Sequence, residues 1–186
     1  GIRRAAAPAP PPQTQRQPGR VMRTPVTAAI GLGGNIGDAA ATVREALQVL
    51  DTLPGTRLLR ASPLFRTPAW GNTAQADFVN AAALLRTELD ARALLDALLE
   101  VEHRFGRDRG VGEPWGPRTL DLDLLLYGEA AIDEPGLRVP HPHLHERAFV
   151  LVPLARIAPD LRVPGHGTVS TLLHAVDAGG CVPLGA

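Results

Sequence analysis

Two aspartates, Asp121 and Asp123, stand at alternate positions in the run Leu120-Asp121-Leu122-Asp123-Leu124-Leu125-Leu126-Tyr127, which is otherwise apolar enough to be a buried strand. Residues two apart on a strand share a face and lie ~6.6 Å apart. Both carboxylates therefore point the same way, and burying two unpaired anions side by side is costly. Either Arg118 or a metal can supply the missing positive charge. Mg²⁺ suits such a pair, because it keeps part of its water and is shared between one or two carboxylates and a substrate's phosphates. The alternative is an edge strand with two solvated aspartates. Trp115, the Gly116-Pro117 turn and Arg118 directly upstream favour a ligand, since a strand entrance can present them to one.

Other residues have the types and spacing for binding. Phe78 and Asn80, two apart in an apolar run, share a strand face. The preceding loop carries Thr67, Pro68, Trp70, Gly71 and Gln75, the makings of a pocket wall. Arg107-Asp108-Arg109-Gly110-Val111-Gly112-Glu113-Pro114 reads as a mobile, arginine-bearing loop able to close over a phosphate substrate. His141, His143 and His145 alternate, as zinc ligands could, but Pro142 interrupts a regular strand and no cysteine is near in sequence. Gly31-x-Gly33 hints at a dinucleotide fold. Against it, Ile36 occupies the third glycine's place and Asp51 opens a loop instead of ending a strand.

These residues need elements to hold them. Val26 to Ile30 reads as a buried strand feeding a turn at Gly31-Leu32-Gly33-Gly34-Asn35. Asp38 caps a helix to about Leu50. Residues 56–65 and 78–89 read as strands. Asp90 caps a second helix, ending near Gly106, with Leu94, Leu95, Leu98, Leu99, Val101, Glu102 and Phe105 at core-facing spacing. A hairpin is expected around Asp133-Glu134-Pro135-Gly136 and a last helix from Thr168 or Ser170 to Val176, after which the chain frays. Strand, helix, strand, strand, helix, strand is the order of a ferredoxin-like α+β unit, an antiparallel sheet with helices on one face.

The chain of 186 residues is 45% hydrophobic, enough for one domain with a real core and too short for two large ones. Residues 1–24, rich in Pro, Ala and Arg and without an acidic side chain, are expected to be disordered. The domain then spans 25–180, with 181–186 a tail. Formal net charge is +0 and every basic residue is arginine, so there is no P-loop lysine and no global field for nucleic acid or an anionic membrane. That also disfavours a nuclease built on the Asp pair. The single Cys181 allows no internal disulfide, and no apolar run approaches the roughly 18 residues of a membrane span. A soluble, cytoplasmic monomer is the expectation.

The stretch Trp115-Gly116-Pro117-Arg118-Thr119-Leu120-Asp121-Leu122-Asp123 resembles the signature of the 6-hydroxymethyl-7,8-dihydropterin pyrophosphokinase family. The similarity also takes in Gly31 to Asp38, Arg66-Thr67-Pro68, Asp77 to Ala82, Pro140-His141-Pro142 and Glu146 to Phe149, nearly everything after Met22. The resemblance implies a ferredoxin-like core with extra helices in a three-layer α/β/α arrangement. It implies transfer of pyrophosphate from ATP to the pterin alcohol, giving AMP and the pterin diphosphate, a step of tetrahydrofolate biosynthesis. Asp121 and Asp123 would hold two Mg²⁺ ions, and Arg107 and Arg118 would stabilise the moving phosphoryl charge. Thr67, Pro68, Trp70, Phe78, Asn80, Trp115 and Phe149 would bind the pterin; Glu102, Arg109, His141 and Arg147 would bind ATP. Two departures fall among the nucleotide contacts: Leu99 where relatives often carry glutamine, and Pro142 where some carry tyrosine. No residue is an obvious general base for the hydroxyl proton. A non-catalytic nucleotide-binding module on the same fold would be expected to have lost the metal or acceptor residues, and Asp121, Asp123, Phe78 and Asn80 are all present.

Overall fold

A computed structural model describes residues 24–69, 74–106 and 119–185. Strand β1 (Val26–Gly34) is followed by helix α1 (Ala39–Leu50), strands β2 (Thr56–Ala61), β3 (Phe65–Thr67) and β4 (Phe78–Thr87), and helix α2 (Ala91–Arg104). Strand β5 (Asp121–Tyr127) carries the acidic pair. A hairpin of β6 (Ile132–Glu134) and β7 (Leu137–Val139) follows, then α3 (Ala148–Ile157), the small pair β8 (Arg162–Val163) and β9 (Gly167–Thr168), α4 (Val169–His174) and β10 (Val182–Pro183). The main sheet runs β10-β3-β4-β1-β5, with β2 also on β4, and every pairing is antiparallel.

Capping starts the two helices where the sequence places them. Ala41 N donates to Asp38 Oδ1 at 3.1 Å, and Ala93 N to Asp90 Oδ1 at 2.7 Å, each satisfying an amide that the first helical turn leaves without a backbone acceptor. Val43, Ala46 and Leu50 of α1 and Leu94, Leu98 and Val101 of α2 are buried against Ile30, Leu32, Leu85 and Leu122 of the sheet. The opposite face carries Ala82, Leu84, Leu125 and Leu126, packed on Leu151 and Leu154 of α3. Helices cover both faces, so the arrangement has three layers and not the one-sided covering that element order alone suggests. Among the described residues, no helix is long and apolar enough to cross a membrane.

The structure departs from the sequence reading in four places. The strand expected to stop at Ile30 continues through the glycines to Gly34. The two neighbouring strands explain this: β4 and β5 pair with β1 along the glycines, and a Cβ on Gly33 would stand 2.5 Å from Asn80 Oδ1 on β4, whereas one on Gly31 would only reach ordinary contact with the Leu125 side chain on β5. The glycines make room across a sheet and the turn follows at Asn35–Gly37. The single strand expected over 56–65 is two, broken at Ser62-Pro63, with Ser62 Oγ accepting from Ala82 N at 2.9 Å. Helix α3 has no counterpart in the sequence reading; Pro153 lies inside it and masks the periodic signal. Finally, β10 comes from the expected tail and pairs with β3.

Candidate active site

Asp121 and Asp123 lie on one face of β5, as the alternation predicts. Their partners across the ladder are Gly33 and Gly31 of β1, so no side chain from the neighbouring strand crowds the carboxylates. Further along the same face Gly33 pairs with Asn80. Asn80 is buried and donates from Nδ2 to Thr67 Oγ1 at 2.6 Å, a bond that fixes its amide over the bare backbone of Gly33. Phe78 pairs with Thr67 on β3 and so shares that face.

Helix α3 supplies the roof. Arg147, its N-cap, stacks its guanidinium over the Phe149 ring with Cζ 5.5 Å from the centroid. One cavity is thus walled by Phe78, Phe149, Thr67 and Pro68, has Asn80 at its base, and has Asp121, Asp123 and Arg147 at one end. Two aromatic faces, a fixed amide and a charged end form a site for a flat, hydrogen-bonding ring that carries a reactive arm.

A second cleft opens across the outer edge of the sheet. Leu95 and Leu99 of α2, Leu137 of β7, Arg138, His141 and Pro142 line it together with Asp123. Asp123 therefore belongs to both cavities. Burial pulls the His141 pKa down from 6.5 to about 4, helped by the positive charge of Arg147 and by His143, with Asp121 opposing. His143 N donates to His141 Nδ1 at 3.2 Å. That leaves the ring neutral with its proton on Nε2, a donor without a charge. His141 N in turn donates to Leu125 O at 2.9 Å, holding the segment to the free edge of β5.

Glu102 lines neither cavity. It is 2% exposed, and Leu122 N donates to its Oε1 at 2.7 Å. That bond places Glu102 at the outer edge of the acidic strand, where it holds the backbone between Asp121 and Asp123. Trp70, Arg107, Arg109, Trp115 and Arg118 lie outside the described residues. For the zinc alternative the described residues offer no complete ligand set. His143 Nδ1 bonds Glu146 and His145 stacks on His166 with centroids 4.1 Å apart, and no group of three or more metal-binding side chains occurs among the described residues. Gly31 and Gly33 as the cavity floor, and Leu95 and Arg138 in the cleft, are functional candidates that the sequence reading missed. The alternation of Gly31 and Gly33 was the available signal.

The residues present fit Mg²⁺. Two oxygen donors on an open face, short of a complete protein ligand set, suit a cation that takes its remaining ligands from water and phosphate.

A three-layer α+β domain in which one acidic side chain, Asp123, lines two adjoining cavities has the layout of a protein that brings two ligands together. The family profile described as 7,8-dihydro-6-hydroxymethylpterin-pyrophosphokinase (HPPK) matches residues 29–159. The chain is 46% identical over 151 residues to the 2-amino-4-hydroxy-6-hydroxymethyldihydropteridine pyrophosphokinase of Methylorubrum extorquens, covering 81% of this chain and 94% of that one. It is 47% identical over 146 residues to the protein of the same name from Pseudomonas aeruginosa, covering 78% and 89%. The chain belongs to the HPPK family. Among solved structures, wild-type HPPK-DHPS of Plasmodium falciparum superposes with a TM-score of 0.64 at 12% identity, over 84% of this chain and 42% of that one. That likeness shows the fold, and this chain spans less than half the length of that one.

Proposed function

We propose that this site carries out its family's reaction, transfer of pyrophosphate from ATP to 6-hydroxymethyl-7,8-dihydropterin, a step of folate biosynthesis, with the pterin in the aromatic cavity and the nucleotide in the cleft across β5. The observation that carries the assignment is the place of Asp123, which lines both. An acceptor on one side and a phosphate chain on the other meet at that carboxylate and its neighbour Asp121.

Phe78 and Phe149 bind the pterin ring between them, and Asn80, held by Thr67, hydrogen-bonds its amide-like edge. That grip aims the hydroxymethyl oxygen at the acidic end, where it attacks the β-phosphorus of ATP and AMP leaves. Asp121 and Asp123 hold Mg²⁺, two ions in our reading, which when bound neutralise phosphate charge and polarise the phosphoryl oxygens. Arg147 adds positive charge at the same end, and neutral His141 donates from Nε2 to a phosphate oxygen. On the strength of the resemblance, Arg107 and Arg118 stabilise the moving charge, Arg109 serves ATP binding and Trp115 pterin binding. With little covalent chemistry left to the protein, catalysis is positioning and charge stabilisation.

Calorimetry tests the two-cavity assignment. With Mg²⁺ and a non-hydrolysable ATP analogue bound, the pterin should still bind with a stoichiometry of about one, and tighter than to the free protein. Competition between pterin and nucleotide overturns it.

A further inference from the structure

We propose that the C-terminal segment around Gly180 and β10 positions the Thr67-Pro68 wall of the aromatic cavity and so sets affinity for the pterin. The inference rests on the reading that this cavity takes the pterin.

The family profile ends at residue 159, yet the chain beyond it returns to the site. β10 pairs antiparallel with β3, Val182 opposite Arg66 and Pro183 opposite Phe65, and Leu184 N donates to Leu64 O at 2.9 Å. β3 is three residues long and ends at Thr67, the residue that anchors Asn80. Without β10 it would be a short edge strand held from one side only. Such strands open locally at small free-energy cost.

Gly180 makes the second contact. A Cβ there would stand 3.1 Å from both Cγ and Cδ of Pro68, so the backbone of the segment lies directly against the proline ring. Behind the wall is a further hollow that shares Thr67, Pro68, Arg147 and Phe149 with the aromatic cavity and has Asp177, Gly180 and Cys181 on its far side. The wall thus has ligand on one side and the C-terminal segment on the other. A wall buttressed in its bound position loses less freedom when the ligand arrives, and that saving appears as affinity.

The test uses the full chain and four variants, with affinities for 6-hydroxymethyl-7,8-dihydropterin measured in the presence of Mg²⁺ and a non-hydrolysable ATP analogue. Gly180→Val pushes on Pro68, and Leu184→Pro removes the donor that latches β10 to Leu64. Each should raise the pterin Kd by about tenfold and leave the nucleotide Kd nearly unchanged, with Gly180→Ala intermediate; the melting temperature should hold in Gly180→Val and fall in Leu184→Pro, which also withdraws a side chain packed on the core. An unaltered pterin Kd in folded Gly180→Val overturns the proposal, as does a parallel loss of nucleotide and pterin affinity. Phe78→Ala separates this inference from the site assignment: if pterin binding survives Phe78→Ala, the cavity is wrong, whereas loss there with no effect at Gly180 sinks only the C-terminal role. Should the Gly180 and Leu184 variants fail to fold, Cys181, the chain's single cysteine, serves as the reporter in the unaltered protein. Bound pterin should slow its alkylation by iodoacetamide several-fold beyond the effect of the nucleotide analogue, and an unchanged rate overturns the proposal.

Discussion

Glu102 reaches from α2 to the backbone of β5, where its Oε1 accepts from Leu122 N at 2.7 Å, and Leu122 is the residue between Asp121 and Asp123. Among the described residues β5 is an edge strand of the main sheet, and that amide faces no neighbouring strand of theirs. The buried carboxylate satisfies it and fixes the strand segment that carries both acidic side chains.

Replacing Glu102 by alanine strands the Leu122 amide in an apolar environment, a loss of about 1–3 kcal/mol. Glu102→Gln keeps an acceptor. Thermal melting should therefore separate the two variants, alanine well below glutamine. Mg²⁺-dependent nucleotide affinity should fall in the alanine variant even at temperatures where it is fully folded. Equal melting temperatures would mean the clamp contributes nothing.

Asp123→Asn keeps the shape of the side chain and removes the charge that, in the proposed site, would balance Mg²⁺. Turnover should fall by several orders of magnitude, on the order of several kcal/mol of transition-state stabilisation. Stability should stay level or rise slightly, because two like charges on one strand face repel. Steady-state kinetics with parallel melting curves checks this; normal turnover in the folded fraction would remove the metal site.

Gly33→Ala places a methyl group 2.5 Å from Asn80 Oδ1. The Gly33 backbone does not have the positive φ that only glycine tolerates, so the effect is steric: the amide turns aside and its bond to Thr67 weakens. Pterin affinity should drop by about tenfold at a stability cost of only ~1 kcal/mol. Calorimetry against nucleotide affinity, which should not change, is the measurement.

His141 links stability to pH. Its folded pKa of about 4 is below the unfolded value of 6.5, so between those limits the unfolded chain binds more protons and stability rises with pH. The contribution is complete above about pH 6.5, declines as the pH falls through 4, and changes no further once both states are protonated. Melting temperature measured from pH 7 to 4 should fall less steeply in His141→Asn than in the unaltered protein. Glu146, whose carboxyl is held below the usual range by its bond to His143, adds an acid slope of the same sign in both, and the comparison removes it.

Local residue order was enough to place Asp121 with Asp123 on one face, Phe78 with Asn80 on another, and the helix starts at Asp38 and Asp90. Strand alternation and capping are local, and a few consecutive residues suffice for each. It also determined the family, because Asp-Leu-Asp and its neighbours recur as linear motifs. What those faces meet is a matter of packing. Gly31 and Gly33 read as a turn until β4 and β5 pair on either side of them and Asn80 requires the space over Gly33. Glu102 reads as one more member of a helical stripe, and its bond to Leu122 depends on how α2 lies along a sheet edge 20 residues further on. Helix α3 escaped because Pro153 hid its period, and β10 because a two-residue strand has no period at all. The position of Asp123 between two cavities comes from the packing of α2, α3 and β7 around one edge strand, and pairings between segments distant in sequence leave no local signal in any of them.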